Sequence, residues 1–306
     1  MSRHVLALSL AWLAACGGGR QGPATRSTAQ FDPKGSDEKA LAIADQVQTA
    51  LGGAANWAKV KELEWSQVII VDGEVKDKCE HAWDMWNARH QFIRHDASGN
   101  EGRTSHDLYG DYAFAFKNKN EATRSETPAL VEDATKRFNI DAYLLALPFK
   151  LKDPGVHLKY SEERPEEGSP RGSPMKYDVI KITFDSGVGP NSGDAYFIVV
   201  DKATHLPTIV EKVAAGKADD VRSGYKLTDW RDVSGLKFAT KRITLGYGDE
   251  KGGQVQLKVA QGYEAGDPVP KVQVPAKAEI VWILKIQASA DVDDVRYVKP
   301  VAPDRI

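Results

Sequence analysis

The chain has 306 residues, of which 42% are apolar and 27% charged, with a formal net charge of −2 and an isoelectric point near 6.4. This is the composition of a globular protein with enough apolar residues for one large core or two small ones. No block of Lys and Arg stands out, and the small negative net charge argues against a protein that binds nucleic acid.

The first sixteen residues have the pattern of a bacterial lipoprotein signal. A short cationic start is followed by an apolar run over residues 5–13 and by the small-residue sequence Leu13-Ala14-Ala15-Cys16. The run is shorter than the roughly 20 residues that a transmembrane helix needs, which favours a cleaved signal. We expect residues 1–15 to be removed and Cys16 to carry a diacylglyceryl group and an N-terminal acyl chain such as palmitate. The alternative is an ordinary secretory signal that is cleaved elsewhere.

Residues 16–35 are rich in Gly, Ser, Thr and Pro and predict a flexible tether, with a reach of roughly 25 Å. Ser36 or Asp37 is suited to cap the first helix, which should end at Gly52-Gly53. The apolar stripe of this helix consists of Leu41, Ala44, Val47 and Leu51. One side of the helix must therefore pack on another element.

From residue 63 the apolar residues recur every second position, which predicts strands. Asp72-Gly73 is a strong hairpin signal between the first two strands. A further strand is predicted around residues 89–95, and Tyr112, Phe114 and Phe116 should project to one side of another. A second helical zone is predicted over residues 126–147, with a break near Asn139, and Pro148 prevents its clean continuation.

The second half predicts strands again, over residues 177–184, 195–201, 206–213, 224–230, 237–245 and 254–260. Residues 162–174 are polar and rich in Pro, Gly and Glu, which is typical of a surface loop. The order strands, helix, strands favours an α+β fold with an antiparallel sheet. With Cys16 lipidated, Cys79 has no partner for a disulfide and is expected to be a buried thiol.

Several segments are similar to a family of bacterial secreted lipoproteins of unknown function. The segments are ALGG (50–53), YLLALPFKLKDPGV (143–156), YDVIKITF (177–184), GVGP (187–190), GDAY (193–196), Trp230 and SGL (234–236). The similarity spans about residues 39–263. That family distantly resembles the LolA/LolB-type carriers of lipoproteins and the mycobacterial LppX-like lipid-binding lipoproteins.

The resemblance implies a single curved antiparallel half-barrel with helices on its concave face and an acyl chain between helices and sheet. It places the half-barrel at residues 36–275, with residues 276–306 as a C-terminal extension. The candidates for lining the cavity are Trp83, Met85, Phe92, Tyr112, Phe114, Phe116, Tyr143, Leu144, Leu147, Phe149, Phe184 and Tyr196. Ordinary core packing is the alternative for these residues. The arginine by which the carriers contact their helical lid has only Arg89 and Arg94 as candidates, by strand location.

The sequence carries no signature of catalysis. His81, His90, His95 and His106 cluster in the early strands, but HExxH and CxxC spacings are absent, so solvated histidines are expected and no metal or cofactor is predicted. The GxSxG elbow of serine hydrolases is also absent. An undetected hydrolase is therefore the least favoured hypothesis.

The leading hypothesis is a non-enzymatic lipoprotein that binds a lipid, a lipoprotein acyl chain or another hydrophobic ligand. Gly17 stands where an inner-membrane retention aspartate would follow Cys16, which favours the outer membrane and a periplasm-facing domain. The alternative is a scaffold or assembly-factor lipoprotein with a filled core, which binds another envelope protein through a surface around Trp86 or Trp282.

Overall fold

A computed structural model describes residues 30–96, 98–110, 112–166, 172–189, 193–219, 223–245, 253–256, 271–274 and 279–300. The predicted signal and Cys16 lie outside these residues. The strands are β1 (Glu62–Val71), β2 (Glu74–Asp84), β3 (Arg89–His95), β4 (Glu101–Asp107), β5 (Ala113–Lys117), β6 (Asn120–Glu121), β7 (Val156–Pro165), β8 (Met175–Phe184), β9 (Ala195–Asp201), β10 (Pro207–Val213), β11 (Ser223–Val233), β12 (Leu236–Thr244), β13 (Gly253–Gln256), β14 (Lys271–Val274) and β15 (Glu279–Ser289). The helices are α1 (Glu38–Ala50), α2 (Ala54–Trp57), α3 (Thr127–Arg137) and α4 (Tyr143–Ala146).

Thirteen of the strands form one antiparallel sheet in the order β6-β5-β4-β3-β2-β1-β15-β12-β11-β10-β9-β8-β7. Each half of the sheet is a meander of strands that follow one another in the chain. β15 joins the halves, since it pairs with β1 (Ile69 opposite Val281) and with β12 (Lys241 opposite Trp282). Residues 276–306, which the resemblance places outside the half-barrel, thus contain a strand at the centre of the sheet.

The first hairpin forms where the sequence predicts it. Asp72 and Gly73 both have positive φ, at 52° and 78°, which is the conformation of a two-residue turn that matches the twist of the flanking strands. The predicted surface loop at 162–174 begins later than expected, because β7 runs on to Pro165 and pairs with β8 as far as Met175.

Helix α1 lies on one face of the sheet and packs against β7 and β8. The apolar side of the helix is buried through Ala40, Ile43, Ala44 and Val47. Asp37 occupies the N-cap position as predicted but makes no capping bond. Its carboxylate accepts a hydrogen bond from the Tyr160 backbone N–H at 2.9 Å, and the Ser36 hydroxyl accepts one from Leu158 at 3.0 Å. The N-terminal segment therefore covers part of the free edge of β7.

The second helical zone consists of α3, a π-helical turn over Phe138–Ala142 (the π-turn), α4, and a 3-10 turn over Leu147–Phe149. The break predicted near Asn139 is this π-turn. These elements lie with α1 on the same face, which is the concave face of the curved sheet. The predicted α+β half-barrel with helices on its concave face is therefore confirmed. Within the described residues, helices of membrane-spanning length and hydropathy are lacking.

Candidate functional site

The pairing register identifies the side chains that face the helices, because directly paired residues point to the same side of a sheet. One inward-facing row across the first four strands consists of Leu63, Trp83, His90 and His106. The next inward-facing row consists of Trp65, His81, Phe92 and Thr104. The intervening residues belong to the convex face.

The concave space beneath α1 and α4 is filled by the main hydrophobic core. Trp57 stacks on Phe149 with ring centroids 4.5 Å apart, and Phe149 contacts Phe238 at 5.0 Å. A gap of about 20 Å³ remains between α4 and strands β11, β12 and β15, which is room for about one water molecule. A hydrophobic ligand therefore finds no space in this part of the half-barrel.

A much larger space lies under α3, where a groove of about 560 Å³ separates the helix from β3, β4 and β5. We call it the α3 groove. Its lining combines two apolar residues, Phe92 and Leu130, with Gly102 and with eight polar or charged residues: Arg94, Asp96, Asn100, Glu101, Thr104, Lys117, Asn118 and Asp133. A Cβ atom built on Gly102 would meet no atom within 4 Å. The groove volume lies within the range of about 300–1,000 Å³ that is typical of ligand pockets.

The opening of the α3 groove is charged. Arg94 donates two hydrogen bonds to Asp77 at 2.9 and 2.8 Å and a third to Asp133 of α3 at 3.3 Å. Lys117 donates to Glu126 at 2.8 Å. Of the two arginines proposed from their strand locations, Arg94 thus contacts a helix on the concave face. Arg89 instead pairs with Asp84 and Asp294.

A buried charged cluster lies where the π-turn meets the sheet. Asp141 is completely buried, and its carboxylate accepts a hydrogen bond from Nη2 of Arg242 on β12 at 2.5 Å. Nη2 of Arg137 lies 2.6 Å from the other carboxylate oxygen, without the alignment of a hydrogen bond. Burial by itself raises the pKa of Asp141, but the guanidinium groups of Arg242 and Arg137 outweigh it and hold that pKa below its usual value.

Three histidines form a buried row that ends at this cluster. Nδ1 of His81 lies 3.1 Å from Nε2 of His90, and Nδ1 of His90 lies 3.1 Å from Nε2 of His106. Nε2 of His81 is 3.7 Å from Asp141, which is too far for a hydrogen bond. Burial lowers the pKa of His81 to about 3 and that of His106 to about 4.

These three histidines are therefore neutral at pH 7, and the expectation of solvated histidines is wrong for them. His95, which is partly exposed, lies 3.5 Å from Glu80. Among the residues that the structure describes, no group of three or more His, Cys, Asp and Glu side chains could hold a metal ion. Cys79 is buried as predicted, and burial raises the pKa of its thiol to about 12.

The predicted cavity residues separate into three groups. Phe92 lines the α3 groove. Eight belong to the main core or pack against it, namely Trp83, Met85, Tyr143, Leu144, Leu147, Phe149, Phe184 and Tyr196. Phe114 and Phe116 are paired with Ser105 and Arg103, and Tyr112 is two residues before Phe114. These three aromatic residues lie on the convex face, away from the helices.

The convex face is crossed by residues 291–300, which we call the C-terminal strap. The Tyr297 hydroxyl donates to Glu62 at 2.7 Å, and the Lys299 backbone N–H donates to the Tyr112 hydroxyl at 3.1 Å. The Arg296 carbonyl also accepts hydrogen bonds from Gln91 of β3 and Ser105 of β4, so the strap connects β1, β3 and β4 across the outside of the sheet.

Sequence reasoning did not identify Asp141, Arg137 or Arg242 as a cluster. One signal for Arg242 exists in β12, where Leu236, Phe238, Thr240 and Arg242 alternate and are all buried. A charged residue that continues an inward-facing apolar row needs a buried partner. The sequence alone does not show that this partner is Asp141, 101 residues earlier in the chain.

Comparisons with known proteins find similarity, at low identity, to solved structures. No protein-family model and no curated protein matches the sequence. Among solved structures, the chain is similar to a LolA superfamily protein from Nitrosomonas europaea, with 9% identity, a TM-score of 0.43, and coverage of 85% of this chain and 97% of that one.

A DUF1329 family protein from Desulfovibrio piger matches at 8% identity and a TM-score of 0.45, with coverage of 86% and 98%. A putative outer membrane lipoprotein-sorting protein domain from Vibrio parahaemolyticus matches at 8% identity and 0.41, with coverage of 85% and 96%.

Proposed function

We propose that this protein is a non-enzymatic binding protein of the bacterial envelope, which holds a hydrophobic ligand such as a lipid or a lipoprotein acyl chain in the α3 groove. The observation that carries the proposal is the groove itself. The rest of the concave face is filled by core residues, whereas about 560 Å³ remains open beside Phe92 and Leu130. An open space of this size beneath a helix of the half-barrel favours a ligand, because close-packed interiors leave few such voids.

The lipoprotein signal supports an anchored protein. In this proposal Cys16 carries the lipid, residues 17–35 form the tether, and the half-barrel faces the periplasm from the outer membrane, in keeping with Gly17 after the cysteine. Acyl chains contribute roughly 0.8 kcal/mol per buried CH₂, so several chains hold a domain on a membrane.

The Asp141 cluster supports a route by which the ligand enters. The π-turn joins α3, which borders the groove, to α4, which is packed on the core. Arg242 fixes Asp141 of the π-turn to the sheet, so α3 can move about this fixed junction while α4 stays in place. Movement of α3 requires the contact between Arg94 and Asp133 to open. This contact is longer than the one between Arg94 and Asp77, and both of its side chains are partly exposed.

The test is native mass spectrometry with lipid extraction on residues 17–306, exported to a periplasm behind an ordinary secretory signal so that only the anchor is lost. A bound lipid of defined mass is expected. Gly102→Leu should abolish it, because the new side chain enters the open groove. Ser66→Leu, on the convex face, is the matched control and should leave binding unchanged. Lipid-free protein that takes up no added phospholipid or lipopeptide would overturn the proposal.

The scaffold function is the second candidate, because exposed apolar residues are concentrated at one end of the sheet. Among described residues, seven large apolar side chains are exposed, and five of them lie in the β2–β3 turn, the β4–β5 turn and the strap: Trp86, Tyr109, Tyr112, Val295 and Val298. Trp282 is less available, since Lys241 lies over its ring at 4.8 Å. The scaffold function would be favoured if an envelope protein copurifies in stoichiometric amount, is lost from the Trp86→Ser variant, and the groove contains no lipid.

A further inference from the structure

The exposed apolar side chains at one end of the sheet form a surface with its own charge and chemistry. We call them the sheet-end patch, and they are Trp86, Tyr109, Tyr112, Val295 and Val298. We infer that the sheet-end patch binds an amphipathic, arginine-rich segment of another protein. This inference goes beyond ligand binding in the α3 groove, and it names the chemistry of the partner that the scaffold function requires.

The first step is that the sheet-end patch is continuous, because hydrogen bonds connect the three segments that carry it. The Leu108 backbone N–H donates to the Ala88 carbonyl at 2.8 Å, which holds the β4–β5 turn beside the β2–β3 turn. The Tyr112 hydroxyl accepts a hydrogen bond from the Lys299 backbone N–H at 3.1 Å, directly after Val298. The strap is therefore fixed beside the two turns.

The second step is the charge around the patch. The strap contains three exposed aspartates, Asp291, Asp293 and Asp294. Its two cations are each paired with a carboxylate, and Arg89 beside it is shared between Asp84 and Asp294. Asp291 has no ion-pair partner among the residues that the structure describes. This end of the sheet is therefore net acidic, which attracts a cationic partner and repels a second copy of this chain.

The third step is that the aromatic rings of the patch are suited to cations. The Lys61 ammonium already lies over the Trp86 ring at 5.6 Å, near the outer limit of a cation–π contact, which is about 6 Å. Tyr109 is 64% exposed, and the described residues give its ring no aromatic or cationic contact.

Arginine is favoured over lysine at such a surface. A guanidinium group stacks on an aromatic ring and also donates paired hydrogen bonds to a carboxylate, whereas an ammonium group is a compact, strongly hydrated charge. Val295 and Val298 give the apolar side chains of the same segment a surface on which to pack. Aromatic and arginine side chains contribute most of the binding energy at protein interfaces.

The experiment compares two short amphipathic peptides with the same leucine positions, one with arginine and the other with glutamate on its polar face. Isothermal titration calorimetry with residues 17–306, exported behind an ordinary secretory signal, gives each affinity. We expect the Leu/Arg peptide to bind at a single site, at least about tenfold more tightly than the Leu/Glu peptide, and more weakly at high salt.

Trp86→Ser and Val295→Ser should each weaken binding of the Leu/Arg peptide at least about tenfold, as the loss of a central contact does, and Asp291→Asn should weaken it several-fold. All three side chains are exposed, so the midpoint of urea unfolding should not change. Met175→Ser, which removes an exposed apolar side chain from β8, is the matched control. Gly102→Leu, which fills the α3 groove, should also leave peptide binding unchanged.

Equal affinities for the two peptides, or binding that Trp86→Ser and Val295→Ser leave unchanged, would overturn the inference. So would a patch that binds vesicles of phosphatidylethanolamine and phosphatidylglycerol in place of the peptide, because its occupant would then be a membrane. These outcomes leave the α3 groove untouched. Conversely, a groove that takes up no lipid would overturn ligand binding there and leave the peptide result as it is.

Discussion

Replacement of Arg242 by Met tests whether the buried Asp141 cluster holds the π-turn on the sheet. The variant removes the 2.5 Å hydrogen bond to Asp141 and leaves that carboxylate with Arg137, whose contact lacks hydrogen-bond alignment. Removing one partner of a buried ion pair costs about 3–5 kcal/mol, since the remaining charge stays buried. We expect the free energy of unfolding to fall by about this amount.

Equilibrium denaturation in urea, with linear extrapolation to water, measures this change. The control is Lys136→Met, which breaks the exposed pair with Glu132 on α3 and should leave the unfolding midpoint nearly unchanged, because water screens an exposed pair. Asp141→Leu combined with Arg242→Met should cost less than the sum of the single variants, because the two side chains interact. A loss below about 1 kcal/mol for Arg242→Met would refute the argument.

Three further outcomes are expected. The free energy of unfolding should be constant above about pH 6.5 and fall below it, by about 1.4 kcal/mol per pH unit for each buried histidine. The reason is that His81 and His106 bind protons in the unfolded chain in this range but stay neutral in the folded protein. An unfolding profile that is flat from pH 7.5 to 5 would contradict this. Tyr297→Phe should cost about 1–3 kcal/mol in urea denaturation, since Glu62 loses its hydroxyl donor, and an unchanged midpoint would show that the strap is dispensable. Phe114→Asp should destabilise the domain by several kcal/mol in the same assay, because it buries a carboxylate. If the variant instead folds normally but no longer binds the ligand, Phe114 lines the cavity after all.

Most strands are predictable from the sequence because hairpins depend on neighbouring residues. Asp72-Gly73 fixes the first turn, and the apolar alternation on either side defines β1 and β2. The position of β15 is not predictable in this way. Ile69 and Val281 are paired although they are far apart in the chain. No local sequence pattern predicts a pairing over such a distance, because it depends on the arrangement of the whole sheet.

The site is less predictable than the fold, because alternation shows that residues share a face without showing which face. Phe114 and Phe116 do share one, but it is the convex face. On the same strand Ala115 is turned inward, opposite Thr104 of the groove. The groove lies where the inward-facing side chains are small, as at Gly102, Thr104 and Ala115. A search for apolar patterns in the sequence selects large side chains and therefore misses it.

The place of β15 in the sheet has a consequence for the order in which the protein folds. Each meander is built from neighbouring strands and depends only on contacts that are close in the chain. The edges of β1 and β12 stay unpaired until residues 279–289 arrive. Unpaired edges recruit strands from other chains. A chain in which β15 has not yet paired therefore has two unpaired edges at the centre of its future sheet, and the pairing of β15 removes both.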